Sequence, residues 1–274
     1  MNTINIDKGL RYEFGKLTEK IDNLRPYYNL PQELQRLIYF IALPKEFLKI
    51  YRKTRTNKIR NLQASCFKPF LETKSIFFHI PKTAGISVSH SLYGRKTGEH
   101  RTVLDYKICF SKKELNSFFK FTFVRNPWDR LASAYFFVRN GGRNDFDRSF
   151  FEKYLSQYQD FEDFVLHWVN RENIFSGLHF RPQYDFICDH NKKIQVDFIG
   201  HFESLEKDYE YIQKKVLTAI PLQFQNKTQN KDTDYRCLYT PEMKEIVAEV
   251  YQEDINLFGY DFDNIFVTQN IKCD

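Results

Sequence analysis

The sequence has no long apolar run. Its most apolar window, Leu37 to Leu43, spans seven residues, against the roughly 20 that a helix needs to cross a bilayer. No transmembrane helix is predicted. The first residues carry Asp7, Lys8 and Arg11 and no apolar core, which is not the pattern of a secretory signal. Cysteine is sparse and scattered: Cys66, Cys109, Cys188, Cys237 and Cys273, an odd number with no C-x-x-C pair. That argues against a disulfide framework or a zinc site and for a reducing, cytoplasmic setting. Clustered carboxylates or histidines at ligand spacing are lacking too, so no metal is expected. Internal repeats and low-complexity tracts are missing.

What is present suits one α/β domain with an appendage in 274 residues. Hydrophobic residues make up 42%, enough for a sizeable core, and 28 Phe with 17 Tyr predict a Phe-rich one. The net charge of +6 suits an anionic partner: a nucleotide, a sulfated or acidic glycan, a nucleic acid or a membrane surface. Charge alone does not choose among these.

The stretch Ser75 to Ser87, SIFFHIPKTAGIS, organises the chain. Its apolar, aromatic start reads as a buried strand. Pro81 stops the ladder because it has no N–H to donate. Lys82 to Gly85 form a small-residue loop, and Ile86, Val88 and Leu92 restart as a helix. Strand, tight loop and helix N-terminus make an anion cradle, in which Lys82 adds a full charge to the helix dipole and backbone amides. The order is not that of a Walker loop, where glycines precede the lysine; here Lys82 precedes Gly85.

His79-Ile80-Pro81-Lys82-Thr83-Ala84-Gly85 resembles the 5′-phosphosulfate loop of sulfotransferases that use 3′-phosphoadenosine 5′-phosphosulfate (PAPS), nearest to the carbohydrate sulfotransferases. Ile86 stands where that family has Thr, which leaves Thr83 and Ser87 as the side-chain donors. A second apolar run, Phe118 to Val124, reads as another buried strand. It leads into Arg125-Asn126-Pro127-Trp128-Asp129-Arg130-Leu131-Ala132-Ser133, where Pro127 suits the first turn of a helix. This block resembles the same family's 3′-phosphate-binding stretch. The resemblance implies a P-loop-like three-layer α/β fold with a central parallel sheet. It assigns PAPS to Pro81, Lys82, Thr83, Ala84, Gly85, Ile86, Ser87, Arg125 and Ser133. The family's membrane-anchored, Golgi-resident members begin with a signal anchor, a pattern not seen here.

Residues 1–72 read as a helical N-terminal extension and 73–274 as the sulfotransferase domain. Within the extension, Leu10–Leu24 and Pro31–Arg55 show helical spacing. The second segment is basic and amphipathic. It favours a helical pair packed on the catalytic domain with a solvated basic face, and admits a membrane-surface or partner-docking role over residues 31–60. Asn140–Arg148 reads as a surface loop and Ser149–Val169 as largely helical, with Phe161, Phe164, Val165 and Trp168 on a core face. Val196–Gly200 predicts a third strand, followed by a helix from Glu203 to Lys215. Ala219–Asp234 predicts a polar loop over the nucleotide. A last helix runs from Thr240 as N-cap to about Asn256, closed by Gly259.

The implied reaction moves a sulfuryl group from PAPS to a hydroxyl of an acceptor, a carbohydrate being favoured by the resemblance. Lys82 is expected to neutralise the leaving phosphate. His100, in the loop between the two phosphate blocks, is the expected general base, with His179 the runner-up. His179, Arg181 and Gln183, in an H-x-R-P-Q stretch, are expected to line the acceptor cleft, or else to pin a loop. Two rivals stay open: a kinase sharing the phosphate cradle, and a basic nucleic-acid-binding protein, although the basic residues are dispersed and no binding motif is recognised.

Overall fold

A computed structural model of the chain describes residues 29–45, 47–48, 67–216, 220–223 and 234–263. The expected helix over 10–24, residues 49–60 of the basic segment and most of the expected loop over 219–234 lie outside them. Among the described residues no helix is long and apolar enough to cross a membrane.

Helices α1 (Gln32–Ala42) and α2 (Lys68–Thr73) lie before the first strand. Strand β1 (Ser75–Phe78) is wholly buried. It is followed by α3 (Gly85–Tyr93), α4 (Val103–Cys109) and α5 (Lys112–Ser117). The last two start at capping boxes, Thr102 with Asp105 and Ser111 with Glu114, in which side chain and backbone satisfy each other's end groups. Strand β2 (Phe119–Val124) leads into α6 (Pro127–Arg139), whose N-cap Asn126 accepts from the Trp128 amide. Then come α7 (Asp145–Tyr154), α8 (Phe161–His167), α9 (Asn173–Ser176), α10 (Tyr184–Ile187) and β3 (Phe198–His201). After β3 come α11 (Leu205–Val216), α12 (Pro241–Val250) and α13 (Gln252–Phe258).

The sheet is parallel in the order β1-β2-β3, with Phe77 opposite Phe121 and Phe121 opposite Phe198. Helices surround it, as the expected α/β class requires, because parallel strands need crossovers that cover both faces. Phe67, Phe70, Phe77, Phe78, Tyr106, Phe110, Phe121 and Phe123 fill the core around the sheet. Phe67 and Phe70, inside the segment read as an extension, are integral to that core. A second core joins α6, α8 and α12 through Tyr135, Phe161, Phe164, Trp168, Met243 and Val247.

Three helical readings are refined. The helix expected from Ser149 starts earlier, at Asp145, because Asn144 accepts from the Phe146 and Asp147 amides. It also splits, α8 restarting on its own cap, Asp160. The last helix breaks at Tyr251, whose hydroxyl is drawn to the Phe180 carbonyl at 2.6 Å. Gly259 does close α13, at φ 69°. The face on which α1 packs is the third surprise. Gln32 donates to the carbonyls of Lys107 and Phe110 at 3.0 and 2.8 Å, and Arg36 to that of Ile108 at 3.2 Å. These are the end carbonyls of α4, which lack acceptor roles inside their own helix. The helix therefore docks by its polar side.

Candidate active site

The loop between β1 and α3 is strained. Lys82 and Ala84 take φ of 70° and 61°, a left-handed region costly for residues with a Cβ. The Thr83 hydroxyl donates inward to the Ile80 carbonyl at 3.0 Å and is fully buried. The loop thus turns its backbone and Lys82, not Thr83, to a large cavity of about 1390 Å³. Pro81, Lys82, Ala84, Gly85, Ile86 and Ser87 line this cavity, so the first turn of α3, with the amides its own helix does not use, faces it.

Gly85 is required by a neighbour. A Cβ there would lie 1.9 Å from Cδ2 and 2.1 Å from Nε2 of His79. His79 is buried, stacked on Phe77 with ring centroids 5.3 Å apart. Burial, aided by the charges of Lys96 and Arg143, pushes its imidazole down to about 3. It is a neutral packing group, consistent with a structural role.

Arg125 leaves the end of β2 and joins the two predicted blocks. Its Nη1 donates to the Lys82 carbonyl at 3.1 Å. Nε and Nη2 grip Asp129 at 2.7 and 2.6 Å, and the guanidinium stacks 4.1 Å over Phe202. Three of its five N–H groups are used in this way. On α6, Asp129, Ser133 and Phe137 recur every four residues and so share one face. Ser133 and Phe137 line the cavity, and the Lys82 ammonium sits 4.1 Å over the Phe137 ring.

The cavity is also lined by His100 and His179, with rings 6.2 Å apart; the His179 ring packs 4.8 Å from that of Phe137. His100 Nδ1 lies 2.8 Å from the His79 carbonyl oxygen. A carbonyl can only accept, so Nδ1 carries the proton and Nε2 is the basic atom. His179 Nε2 donates to Asp147 Oδ1 at 3.0 Å. The other Asp147 oxygen accepts from the Arg143 amide and the Asn144 side chain.

Gln183 and Arg181 stand apart from the cavity. Gln183 is wholly buried, its amide bonding both the N–H and the C=O of Arg125 at 2.9 and 2.8 Å. It pins the Arg125 backbone instead of facing the cleft. Arg181 pairs with Asp185. Behind this loop, Arg130 donates to the carbonyls of His179, Phe180 and Arg181. Asp254 accepts from the amides of Gln183 and Tyr184, both at 2.8 Å, while burial pushes its carboxyl up to about 6.

Sequence reasoning missed several cavity residues: Lys96, Arg143, Asp147, Phe202 and Glu203. Glu203 accepts from the Asn126 amide and the Tyr260 hydroxyl, and burial raises its carboxyl. One usable signal was the Gly141-Gly142 pair. Gly142 has φ 60°, and a Cβ there would lie 2.1 Å from that of Asp147, so the supposed surface loop is folded tightly against the site. Among the described residues no group of acidic, histidine or cysteine side chains is placed to hold a metal ion.

The profile of the sulfotransferase family matches residues 72–261, spanning both phosphate blocks. The chain belongs to this family. It is 28% identical over 192 residues to carbohydrate sulfotransferase 11 of Rattus norvegicus, covering 60% of this chain and 53% of that one. It is 30% identical over 177 residues to carbohydrate sulfotransferase 14 of Danio rerio, covering 56% and 47%. An uncharacterized protein of Archaeoglobus fulgidus is 34% identical over 105 residues, covering 38% and 72%. The chain spans about half the length of the carbohydrate sulfotransferases it matches. No solved structure matches it.

Proposed function

We propose that the protein transfers the sulfuryl group of PAPS to a hydroxyl of a carbohydrate acceptor, without a metal. One observation carries this reading. The Arg125–Lys82 hydrogen bond joins the two phosphate-type blocks at a cavity that His100 also lines, with its basic nitrogen defined by the bond to the His79 carbonyl. Family membership and the carbohydrate sulfotransferase relatives support the reaction class.

In this reading the first turn of α3 and Lys82 hold the 5′-phosphate, while Arg125 and Ser133 hold the 3′-phosphate. His100 Nε2 takes the acceptor hydroxyl proton as the new S–O bond forms. The S–O bond to the 5′-phosphate breaks on the opposite side of sulfur, in line, and Lys82 neutralises the charge that collects there. The products are the sulfated acceptor and 3′-phosphoadenosine 5′-phosphate (PAP). Asp147 holds the His179 ring at the acceptor end. Lys96 and Arg143 favour an acceptor that bears negative charge. We also propose a reducing, cytoplasmic setting, supported by the free thiols of Cys109, Cys188 and Cys237.

Transfer from labelled PAPS across a panel of neutral and acidic glycans tests the reaction. PAP titration in the presence of a chelator tests the binding half. Failure to bind PAP without magnesium would return the chain to the kinase reading.

A further inference from the structure

The two residues that flank His100 are paired with each other in a way the proposed reaction does not use. The Arg101 amide donates to the Glu99 carbonyl at 2.8 Å, which closes a three-residue turn with His100 at its centre. The side chains close the same turn a second time. Arg101 Nε donates to Glu99 Oε2 at 2.8 Å, and Nη2 reaches the same oxygen. Arg101 Nη1 lies 3.7 Å from Asp105 Oδ1, and Asp105 accepts from the Thr102 amide at 2.8 Å in the capping box of α4. His100 lines the cavity; its two neighbours do not, and the side chains of Arg101 and Glu99 are only 8 and 10% exposed.

The loop is fastened before the turn as well. The Thr97 amide donates to the Ser89 hydroxyl of α3 at 2.6 Å. Gly98 takes φ 70°, and a Cβ there would lie 3.1 Å from the Phe70 ring and 3.2 Å from the Tyr106 hydroxyl. The chain is thus seated on the core one residue ahead of Glu99. His100 stands at the tip of a turn secured on both sides, and its ring meets the His79 carbonyl.

A buried ion pair is a weak source of stability, because desolvation offsets much of the attraction. What it supplies is geometry, since the planar guanidinium presents its donors as a rigid fork. We infer that Glu99 and Arg101 are positioning residues, which hold the His100 ring on the His79 carbonyl and so leave Nε2 for the acceptor. The inference rests on the reading of His100 as the base. A base must stay within hydrogen-bond reach of the proton it takes, and a displacement of about 1 Å can cost roughly 100-fold in rate.

Two measurements on the full chain test it. Nitrogen NMR of histidine-labelled enzyme, with His100→Ala to assign the signal, reads which ring nitrogen carries the proton. Single-turnover transfer from labelled PAPS, to the glycan of the panel that is sulfated fastest, reads the chemistry. Glu99→Ala opens the turn and leaves Arg101 with Asp105. It should convert the single Nδ1–H form of His100 into a mixture of tautomers and slow transfer roughly tenfold or more, with PAP affinity unchanged. Glu99→Gln keeps an acceptor for the guanidinium and should restore most of both signals. Arg101→Lys keeps the charge without the fork and should shift both in the same direction, so it carries the test if Glu99→Ala fails to fold. A wild-type tautomer in the variant overturns the inference, whether transfer is normal or slow. So does PAP affinity that falls as far as transfer, because the pair then only supports the fold. Should His100→Ala transfer at the wild-type rate, the base reading fails, and the tautomer signal still decides whether the pair holds the ring.

Discussion

His100 holds its Nδ1 proton on the main-chain oxygen of His79, 2.8 Å away. The residue just past the first strand thereby sets the tautomer of a side chain that arrives from a loop 21 residues later. A ring held in this way keeps Nε2 as a lone-pair acceptor, the form a general base needs before it meets a hydroxyl. His79 cannot share that role, since burial lowers its basicity to about 3, too weak for a base, and Gly85 packs against its ring.

Replacing His100 with Ala should therefore slow single-turnover sulfuryl transfer by roughly 10²–10⁴-fold and leave PAP affinity close to that of the wild type. Lys82→Ala should weaken both. Normal turnover in the His100 variant would move the base elsewhere, with His179 the next residue to test.

Arg125→Ala should weaken PAP much more than adenosine 5′-phosphosulfate, which lacks the 3′-phosphate. The expected difference is about 1.5–3 kcal/mol, the range for a charge-assisted hydrogen bond. Asp129→Asn should show a smaller loss in the same direction, because it loosens the clamp on the guanidinium. Calorimetric titration of each variant with both ligands measures this. Equal losses for the two ligands would contradict the 3′-phosphate assignment.

Gly85→Ala drives a methyl group into the His79 ring. Overpacking of this kind costs roughly 1–3 kcal/mol, read by urea unfolding. His79→Ala opens the space, so the double variant should lose less than the sum of the singles. Strict additivity would mean that the close approach is not the reason for glycine here.

Two buried groups give opposite pH dependences. His79 is lowered from 6.5 to about 3. Below 6.5 the unfolded chain binds a proton that the native chain refuses. The stability His79 contributes is complete above that pH and is lost as pH falls towards 3, at up to about 1.4 kcal/mol per pH unit. Asp254 is raised from 3.8 to about 6. Its contribution is complete below 3.8 and is lost as pH rises through 6. Between pH 4 and 6, His79→Asn should remove a loss of stability on acidification, and Asp254→Asn should remove a gain. Urea midpoints of wild type and both variants at several pH values within that window provide the comparison. Parallel curves for all three would rule out both assignments.

The strand–loop–helix over 75–93 and the Arg125 block were legible because local rules and side-chain chemistry coincide there. A proline that ends a ladder, a small loop with a lysine and an asparagine–proline helix start each act through near neighbours. The third strand, the apolar stripe of α8 and the Thr240 and Gly259 caps were legible for the same reason. Gln183 reads, through the H-x-R-P-Q stretch, either as lining the acceptor cleft or as pinning a loop, and the sequence does not choose between them. Its place behind the site is set by the Arg125 backbone 58 residues away, which no local pattern carries.

The sequence by itself carried the resemblance to the family, through two motifs in order, and with it the expected parallel α/β core; periodicity and capping placed the strands and helices that hold those motifs. Tertiary structure alone decided how they are used. It chose the tautomer of His100 through the carbonyl of His79, just past β1, and turned the Thr83 hydroxyl inward. It also drew Arg143 and Asp147 to the cavity and set the apolar face of α1 outward. Each of these depends on which polar group finds a partner across the fold, and an uncompensated buried polar group is costly enough to overrule a local preference.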